Sequence, residues 1–411
     1  KKKQEKEKKD IEKSKPKIII RIPIPYTDKY ITIKLGALFA ILGGAALAAL
    51  ALVLLSKLSS KLSTGFPIQE QDFGVDEDDS IDSANEFDAD LRGIDSHGVA
   101  RLSGYVRLIR NGRINPTPNF IVTHRKKTMI HVDADGAIGL LSAPFAMNLA
   151  IEATAEYGSG WAGISNSNHF GIAAYHAMMA LPHNYIGFST TNASPLVTPA
   201  GGAERMLGTN PICVAIPAGK ELPFVMDMAT SAAANGKLEI AERVNKPIPK
   251  GWALTKDGKN TQDAAALKQG GLLLPLGSDA DHGYHKGYGL GAWVDIFSGV
   301  LNGANFGPWV PPFVSFLQPR ADQPGKGLGH FVGCWDVDGF RDLQEFQNDM
   351  DLWIQRFKAT QPAQGVERVM IPGEPEHHQS EYRKINGIPL VDAVVQDLIN
   401  VGKQLQHPFN P

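Results

Sequence analysis

The chain has 411 residues, of which 43% are hydrophobic and 20% charged, and this is ordinary for a globular protein of about two or three domains. The formal net charge of −2 gives no overall electrostatic reason to expect a nucleic-acid partner. Cys213 and Cys334 are the only cysteines, too few for a disulfide framework or a multi-cysteine zinc site, and they favour a reducing compartment.

The first 88 residues differ in composition from the rest of the chain. Residues 1–34 contain twelve Lys or Arg residues, and this composition predicts a disordered basic tail. Residues 35–57 contain the run Leu35–Leu55, which is 21 residues without a charge and is long enough to span a bilayer as a helix. Residues 58–88 are rich in acidic side chains and poor in apolar periodicity, as is typical of a linker.

From residue 142 onward the apolar periodicity changes repeatedly between helical and strand spacing. Helices are predicted at Ser142–Tyr157, which Gly158 terminates, and at Gly171–Ala180, and strands are predicted at Trp161–Ser165, Tyr185–Thr190, Ile212–Ile216 and Phe224–Met228. The alternation indicates a mixed α/β core.

Two later segments each carry one apolar stripe at helical spacing. Asp342–Lys358 has Leu343, Phe346, Met350, Trp353, Ile354 and Phe357, and the last segment has Leu390, Val394, Leu398 and Val401. Such stripes more often pack a helix against a core than bind a cofactor. Both segments are therefore predicted to be helices that bury these side chains.

The best candidate for a functional site is Asp90–Leu102, which reads DLRGIDSHGVARL. If a helix begins after Gly93, His97 and Arg101 lie four residues apart on one face, with Ser96 beside them. An Arg guanidinium matches a carboxylate bidentately, and an imidazole exchanges a proton near neutral pH. This pair favours a 2-oxo or 2-hydroxy acid as the ligand, whereas a solvated helix start with Asp95 or Ser96 as N-cap explains the same residues structurally.

Six motifs, in this order, resemble those of the type 2 malate/L-lactate dehydrogenase family. They are GIDSHGVARL at 93–102, NSNHFG at 166–171, LGTNP at 207–211, MDMATS at 226–231, HKGYGL at 285–290 and IPGEPE at 371–376. The resemblance covers residues 89–405 and implies an oxidoreductase that transfers a hydride between NAD or NADP and a 2-hydroxy acid such as malate or lactate. It also implies a cytoplasmic enzyme that forms a homodimer or a larger homo-oligomer.

The resemblance implies an α/β fold with a mixed-sheet, non-Rossmann NAD(P)-binding core and flanking helices. The run GYGLGA at 287–292 fits the loose dinucleotide-binding pattern, but neither a preceding strand nor an acid about 20 residues later accompanies it. The residues that match the cofactor-lining segments of the family are His169, Phe170, Gly171, Met226, Asp227, Met228, Ala229, Thr230, Ser231, His285, Lys286, Pro372, Gly373 and Glu374. No metal is implied.

The resemblance also suggests roles around the substrate. Arg101 would bind the carboxylate, and Ser96 would orient His97. Either His97 or His169 acts as the acid/base in such enzymes, and the neighbouring Arg101 favours His97. The loop residues expected to bind the substrate or the nicotinamide amide are Asn192 and Thr209.

The atypical N-terminus leaves other functions open. Reduction of a cyclic imine acid needs the same carboxylate clamp and proton donor, and an inactive membrane-tethered structural protein would explain Leu35–Leu55. The basic flank before this run would keep the N-terminus inside and place the catalytic region away from cytosolic NAD. Among a membrane anchor, a fused foreign segment and an apolar helix buried in a soluble assembly, the last two together are favoured over the anchor.

Overall fold

The computed structural model describes residues 18–23, 30–35, 87–407 and 409. The strands are β1 (Ile18–Pro23), β2 (Tyr30–Leu35), β3 (Ile121–Lys126), β4 (Met129–Asp133), β5 (Ser159–Ser167), β6 (Tyr185–Thr191), β7 (Ile212–Ile216), β8 (Phe224–Met228), β9 (Ala253–Leu254), β10 (Asn260–Thr261), β11 (Leu272–Leu273) and β12 (Leu328–Asp336). The helices are α1 (Leu102–Arg110), α2 (Gly139–Tyr157), α3 (Ala173–Met178), α4 (Asn235–Arg243), α5 (Tyr284–Asp295), α6 (Leu343–Lys358), α7 (Glu374–Asn386) and α8 (Asp392–Leu405).

A seven-stranded mixed sheet forms the centre of the fold. Its strands follow the order β3-β4-β5-β12-β6-β7-β8. Only β4 and β5 run parallel, and the other neighbouring pairs are antiparallel. The prediction of an α/β protein with a mixed sheet is confirmed. This arrangement differs from the parallel, doubly wound sheet of a Rossmann domain.

Helices cover both faces of this sheet. Alternate side chains of strand β12 point to opposite faces of the sheet, as in any strand. Val332 and Cys334 join the core beneath α2 and α3. Phe331 and Trp335 face the opposite side, where both stack on Trp161 with ring centroids 5.5 and 5.4 Å apart. On that side the packing partners include α5, which continues into one turn of π-helix. The sheet is thus a rigid, two-sided frame from which the loops project.

The periodicity predicted the main elements of this frame well. Helix α2 ends where expected, because its C-cap Gly158 adopts the left-handed conformation at φ +80°. Strands β7 and β8 have the predicted bounds. Helix α3 is shorter than predicted and begins only at Ala173, because Gly171 has a positive φ of +75° and Ile172 is extended.

Two described strands lie in or next to residues 1–34, the segment predicted to be a basic tail. Strands β1 and β2 pair antiparallel, with Ile20 opposite Ile33 and Ile22 opposite Ile31. Their sequences are rich in isoleucine, and β-branched residues favour strands. The predicted apolar helix lies outside the described residues except for Leu35, which ends β2. Among the helices of the described ranges, none is both long and apolar enough to cross a membrane.

The last two predicted helices form, but only one buries its stripe. On α8, Val394, Leu398 and Val401 pack against α1, as predicted. Helix α6 begins at its N-cap Asp342 as predicted, yet the expected burial of its stripe is wrong. Trp353 is 40% exposed and Phe357 45% exposed. Their rings stack on each other at 4.0 Å, and Trp353 also contacts the ring of Phe224 on β8 edge to face, with centroids 6.0 Å apart.

Candidate active site

The segment that carries Ser96 and His97 is a turn-rich loop, so the prediction of a helix beginning after Gly93 is wrong. Gly93 is left-handed at φ +79°, and the first helical turn is a 3₁₀ turn at Val99–Arg101. The buried carboxylate of Asp90 accepts a hydrogen bond of 2.9 Å from the amide of Val99, which fixes the end of the loop. Burial raises the pKa of Asp90 to about 7, and the bond from Val99 partly offsets this rise.

Two imidazoles meet at this loop. The rings of His97 and His169 stack with centroids 5.6 Å apart and planes inclined by 20°. Burial and then the charge of Arg101 lower the pKa of His97 to about 4. Burial, followed by the charges of His97 and Arg101, lowers the pKa of His169 well below its ordinary value. Both rings are therefore neutral at neutral pH.

The hydrogen bonds of His169 fix its tautomer. The amide of Gly171 lies 3.3 Å from His169 Nδ1, and the hydroxyl of Tyr105 lies 2.7 Å from the same atom. A backbone amide can only donate, so Nδ1 is an acceptor and the ring hydrogen of the neutral imidazole is on Nε2. His97 Nδ1 instead lies 2.9 Å from Ser96 Oγ, a hydroxyl that can donate or accept. The sequence reasoning missed Tyr105, which follows Arg101 by four residues.

Arg101 lies beside these rings, as predicted, but protein groups already contact its guanidinium. Its Nε donates to the carbonyl of Ser96, and its Nη2 lies 3.6 Å from Oε2 of Glu239 on α4. The guanidinium is also 6.0 Å from the ring centroid of Phe313. Arg101 thus presents a cation next to the neutral imidazoles, with a carboxylate beside it.

A second arginine, Arg113, binds residues that pack next to this cluster. Arg113 Nε donates to Asn168 Oδ1 at 3.0 Å, and its two Nη atoms donate to the carbonyls of Pro311 and Pro312. Burial and then the neighbouring charge of Arg107 lower the pKa of Arg113 to about 10. These bonds place Phe313, whose ring lies 4.8 Å from that of His169. No local pattern pointed to Arg113 or Phe313, because their contacts join distant parts of the chain.

The predicted cofactor residues converge at the end of β8. Asp227 is exposed there, and its Oδ2 accepts a hydrogen bond of 2.8 Å from the amide of Ala174. Desolvation by the surrounding protein raises the pKa of this carboxyl to about 6, although part of the residue is exposed. The hydrogen bond from Ala174 lowers the pKa and so opposes this rise. The amide of Val225 donates to the Pro372 carbonyl at 3.0 Å, so the motif at 371–376 lies against this strand.

The motif at 285–290 packs against the same strand end. The amide of Leu276 donates to the Thr230 carbonyl at 2.9 Å, and α5 presses so closely on Leu276 that a side chain at Gly287 would collide with its backbone. His285 and Lys286 in the first turn of α5 are exposed. An exposed carboxylate and an exposed lysine fit the ribose hydroxyls and phosphates of a dinucleotide.

Several predicted ligands have side chains that are already engaged by other groups of the protein. Asn192, predicted to bind the substrate or the nicotinamide amide, is fully buried, with Nδ2 donating to the Asn305 carbonyl and Oδ1 accepting from the Gly329 amide. Phe170 packs between the rings of His176 and His330. The remaining internal side chains are Thr230 and Ser231, whose hydroxyls donate to backbone carbonyls, and Glu374, which pairs with Arg368. Thr209 is half-buried.

Comparison with known proteins agrees with this geometry. A family model for malate/L-lactate dehydrogenase matches residues 71–399. Malate dehydrogenase of Pyrococcus horikoshii is 39% identical over 334 residues, which cover 81% of this chain and 90% of that protein. Ureidoglycolate dehydrogenase (NAD(+)) of Escherichia coli is 32% identical over 326 residues, 78% of this chain and 89% of that protein. The crystal structure of malate dehydrogenase from Entamoeba histolytica matches with a TM-score of 0.75 and 30% identity, over 89% of this chain and 96% of that one.

The matched range begins at residue 71, inside the segment interpreted as an acidic linker, and includes every candidate site residue. The relatives at this level of identity are dehydrogenases of hydroxy acids. The matched range, the mixed sheet and the shared motifs agree with one another, and the chain belongs to the malate/L-lactate dehydrogenase family, the nicotinamide-dependent oxidoreductases of 2-hydroxy acids.

Proposed function

We propose that this enzyme interconverts a 2-hydroxy acid of the malate or lactate type and its 2-oxo acid, with NAD or NADP as the hydride carrier. In the oxidation, a bound nicotinamide would supply the hydride acceptor for C2, and a histidine of this chain would take the hydroxyl proton. The observation that carries the proposal is the cation of Arg101 beside two stacked, neutral imidazoles. This combination supplies an anion clamp and a proton exchanger within one cluster.

Arg101 would bind the C1 carboxylate of the substrate. The carboxylate is one bond from C2, so fixing it also fixes the oxygen that gains or loses the proton. The bond from Arg101 to the Ser96 carbonyl holds the guanidinium against the loop that presents His97. The clamp and the proton exchanger are therefore positioned by one short segment.

The two histidines would have different tasks. His169 carries its hydrogen on Nε2 and would donate a hydrogen bond to the substrate oxygen, with Tyr105 and Gly171 holding the ring. His97 would exchange the proton, because the Ser96 hydroxyl beside its Nδ1 adapts to either tautomer. A bound substrate carboxylate would offset the charge of Arg101, which is one of the two causes that lower the pKa of His97.

The cofactor would lie along the end of β8. Asp227 would accept hydrogen bonds from ribose hydroxyls, Lys286 and His285 would neutralise phosphate, and the backbone of Gly171, Pro372 and Gly373 would line the cleft. The bound dinucleotide supplies the hydride chemistry, while this chain orients the substrate and holds the proton. The name of the ureidoglycolate dehydrogenase relative includes NAD(+), which supports a nicotinamide carrier here.

A homodimer or larger homo-oligomer in the cytoplasm completes the proposal. The exposed, stacked pair of Trp353 and Phe357 supports association, because such apolar surface favours contact with a partner. Both cysteines are free and buried, in keeping with a reducing compartment. Sedimentation equilibrium should give at least about twice the chain mass of 44.4 kDa. A monomer at micromolar concentration would contradict the oligomer.

A substrate panel tests the proposed reaction. The purified chain is mixed with pyruvate, oxaloacetate or a larger 2-oxo acid, together with NADH or NADPH, and the loss of cofactor absorbance is followed. We expect reduction of at least one 2-oxo acid, and the better carrier identifies the cofactor. Absence of turnover with the whole panel, in a folded protein that binds NADH, would contradict the proposal.

Replacement of Arg101 by Lys should weaken substrate binding much more than cofactor binding. The substitution keeps the charge but removes the bidentate fork. The Michaelis constant for the 2-oxo acid should rise about tenfold or more, since a charge-assisted hydrogen bond contributes about 1.5–3 kcal/mol. The dissociation constant of NADH, measured by fluorescence, should stay nearly constant. Equal changes in both constants would show that Arg101 is no substrate clamp.

Glutamine substitutions separate the tasks of the two histidines. Glutamine offers an N–H donor but exchanges no proton, so His97→Gln should lower single-turnover hydride transfer by about 10²–10⁴-fold. His169→Gln should lower this rate much less, whereas His169→Ala, which removes the hydrogen-bond donor, should lower it about 10²–10³-fold. The measurement is stopped-flow absorbance of NADH with the 2-oxo acid at saturation. A greater loss in His169→Gln than in His97→Gln would transfer proton exchange to His169.

A further inference from the structure

Helix α4 lies directly on the anion clamp. At Gly236, a Cβ atom would be 2.9 Å from Ser96 Cβ and 3.3 Å from Arg101 Nη2. Both distances are tighter than ordinary van der Waals contact, so the first turn of α4 and the clamp leave no space between them. Anything that binds Arg101 from this side must therefore move α4 or a side chain that it carries.

One carboxylate of α4 faces the clamp. Glu239 Oε2 lies 3.6 Å from Arg101 Nη2, and Asn235 Nδ2 donates to Oε1 of the same carboxylate at 2.8 Å. Asn235 precedes Glu239 by one helical turn and holds it on this side of α4. The side chains of Arg101 and Glu239 are 16% and 29% exposed, so the ion pair is only partly screened by water.

Glu239 and a substrate present the same chemical group to the same cation. Arg101 has five N–H donors, and its Nε is already used by the Ser96 carbonyl. A 2-oxo acid that binds the guanidinium through its own carboxylate must compete with Glu239 at Nη2. If both carboxylates stayed, two like charges would lie within a few ångströms, which is unfavourable.

We propose that Glu239 is a built-in competitor for the carboxylate clamp, and that its displacement from Arg101 sets the affinity of the enzyme for 2-oxo acids. The inference rests on the proposed role of Arg101. Glu239 acts through Arg101 and takes no part in hydride or proton transfer. Partly exposed ion pairs of this kind are weak, so removing the competitor should strengthen substrate binding by about 1.5- to 5-fold.

The test compares Glu239→Gln with Glu242→Gln. The first substitution removes the charge but keeps the size of the side chain and an oxygen that accepts from Asn235. The second removes a charge from the same helix, where Glu242 pairs with Lys268 at 2.7 Å instead of with the clamp. Oxalate, which has a carboxylate next to a second carboxyl carbon, serves as the probe, and its affinity for the NADH-loaded full-length enzyme is measured by titration calorimetry.

Oxalate should bind about 1.5- to 5-fold more tightly to Glu239→Gln than to the unsubstituted enzyme, and equally to Glu242→Gln. The Michaelis constant for pyruvate or oxaloacetate should fall by a similar factor in Glu239→Gln, while kcat and the dissociation constant of NADH stay the same. The gain in oxalate affinity from Glu239→Gln should be smaller when Arg101 is also replaced by Lys, because both substitutions alter the same contact between Arg101 and Glu239.

Unchanged or weaker oxalate binding in Glu239→Gln would overturn the inference, because Glu239 would then orient Arg101 instead of competing for it. A gain of equal size in Glu242→Gln would also overturn it, since the effect would come from net charge alone. Failure of the clamp itself has a separate signature. In that case oxalate would not bind the unsubstituted enzyme, or Arg101→Lys would leave its affinity unchanged.

Discussion

The buried carboxylate of Asp90 is the constraint on which the candidate site depends. It accepts the amide of Val99 and so closes the loop that presents Ser96 and His97. Gly98 has no room for a side chain, because a Cβ atom there would overlap the Asp90 carboxylate. Arg383 on α7 donates to the Asp90 carbonyl and pairs with Asp95, which ties the loop to the rest of the fold. A buried carboxylate with few hydrogen-bond partners is energetically unfavourable. The loop conformation that keeps the hydrogen bond from Val99 is therefore preferred.

The sheet determines where this loop meets the rest of the site. Strand β5 ends at Ser167, and the next four residues carry His169 and turn at Gly171 into α3. The first turn of α3 then binds Asp227 at the end of β8. One short connection therefore contacts the proton-exchange cluster on one side and the expected cofactor cleft on the other. Loops on a rigid frame commonly carry function in this way.

Local sequence patterns predicted the strands and the helix end that depend on contacts close in the chain. The strands at 212–216 and 224–228 and the end of α2 at Gly158 follow from apolar periodicity and from one glycine conformation. Tyr105 was within reach of the same reasoning, because it follows Arg101 by one helical turn.

The sequence predictions that failed concern contacts that apolar periodicity does not encode. The bond between Asp90 and Val99 has no periodic signal, so the helix expected after Gly93 does not form. Asn192 has the sequence character of a ligand-binding loop residue, but it is enclosed by the backbone of Asn305 and Gly329, more than 100 positions away. Periodicity also identified the apolar stripe of α6 without indicating what covers it, and this is why its expected burial is wrong.

The electrostatics of the cluster follow from how arginine and histidine respond to burial. An arginine keeps its proton at neutral pH, whereas a histidine can release its proton when desolvation and a neighbouring cation make the charge unfavourable. The ligand-free site therefore holds a charged Arg101 and a neutral His97. Glu239 on α4 offsets part of the arginine charge, because its carboxylate lies 3.6 Å from Nη2 of the guanidinium.

A substrate carboxylate would change this balance at the position where the chemistry occurs. By offsetting the charge of Arg101 next to the imidazole, it would remove the smaller of the two causes that lower the pKa of His97, the larger being burial. When the substrate displaces Glu239 from Arg101, one carboxylate replaces another at the guanidinium, so the net charge there is conserved while its position relative to His97 changes. Substrate affinity and the readiness of His97 to exchange a proton are thus coupled through a single arginine.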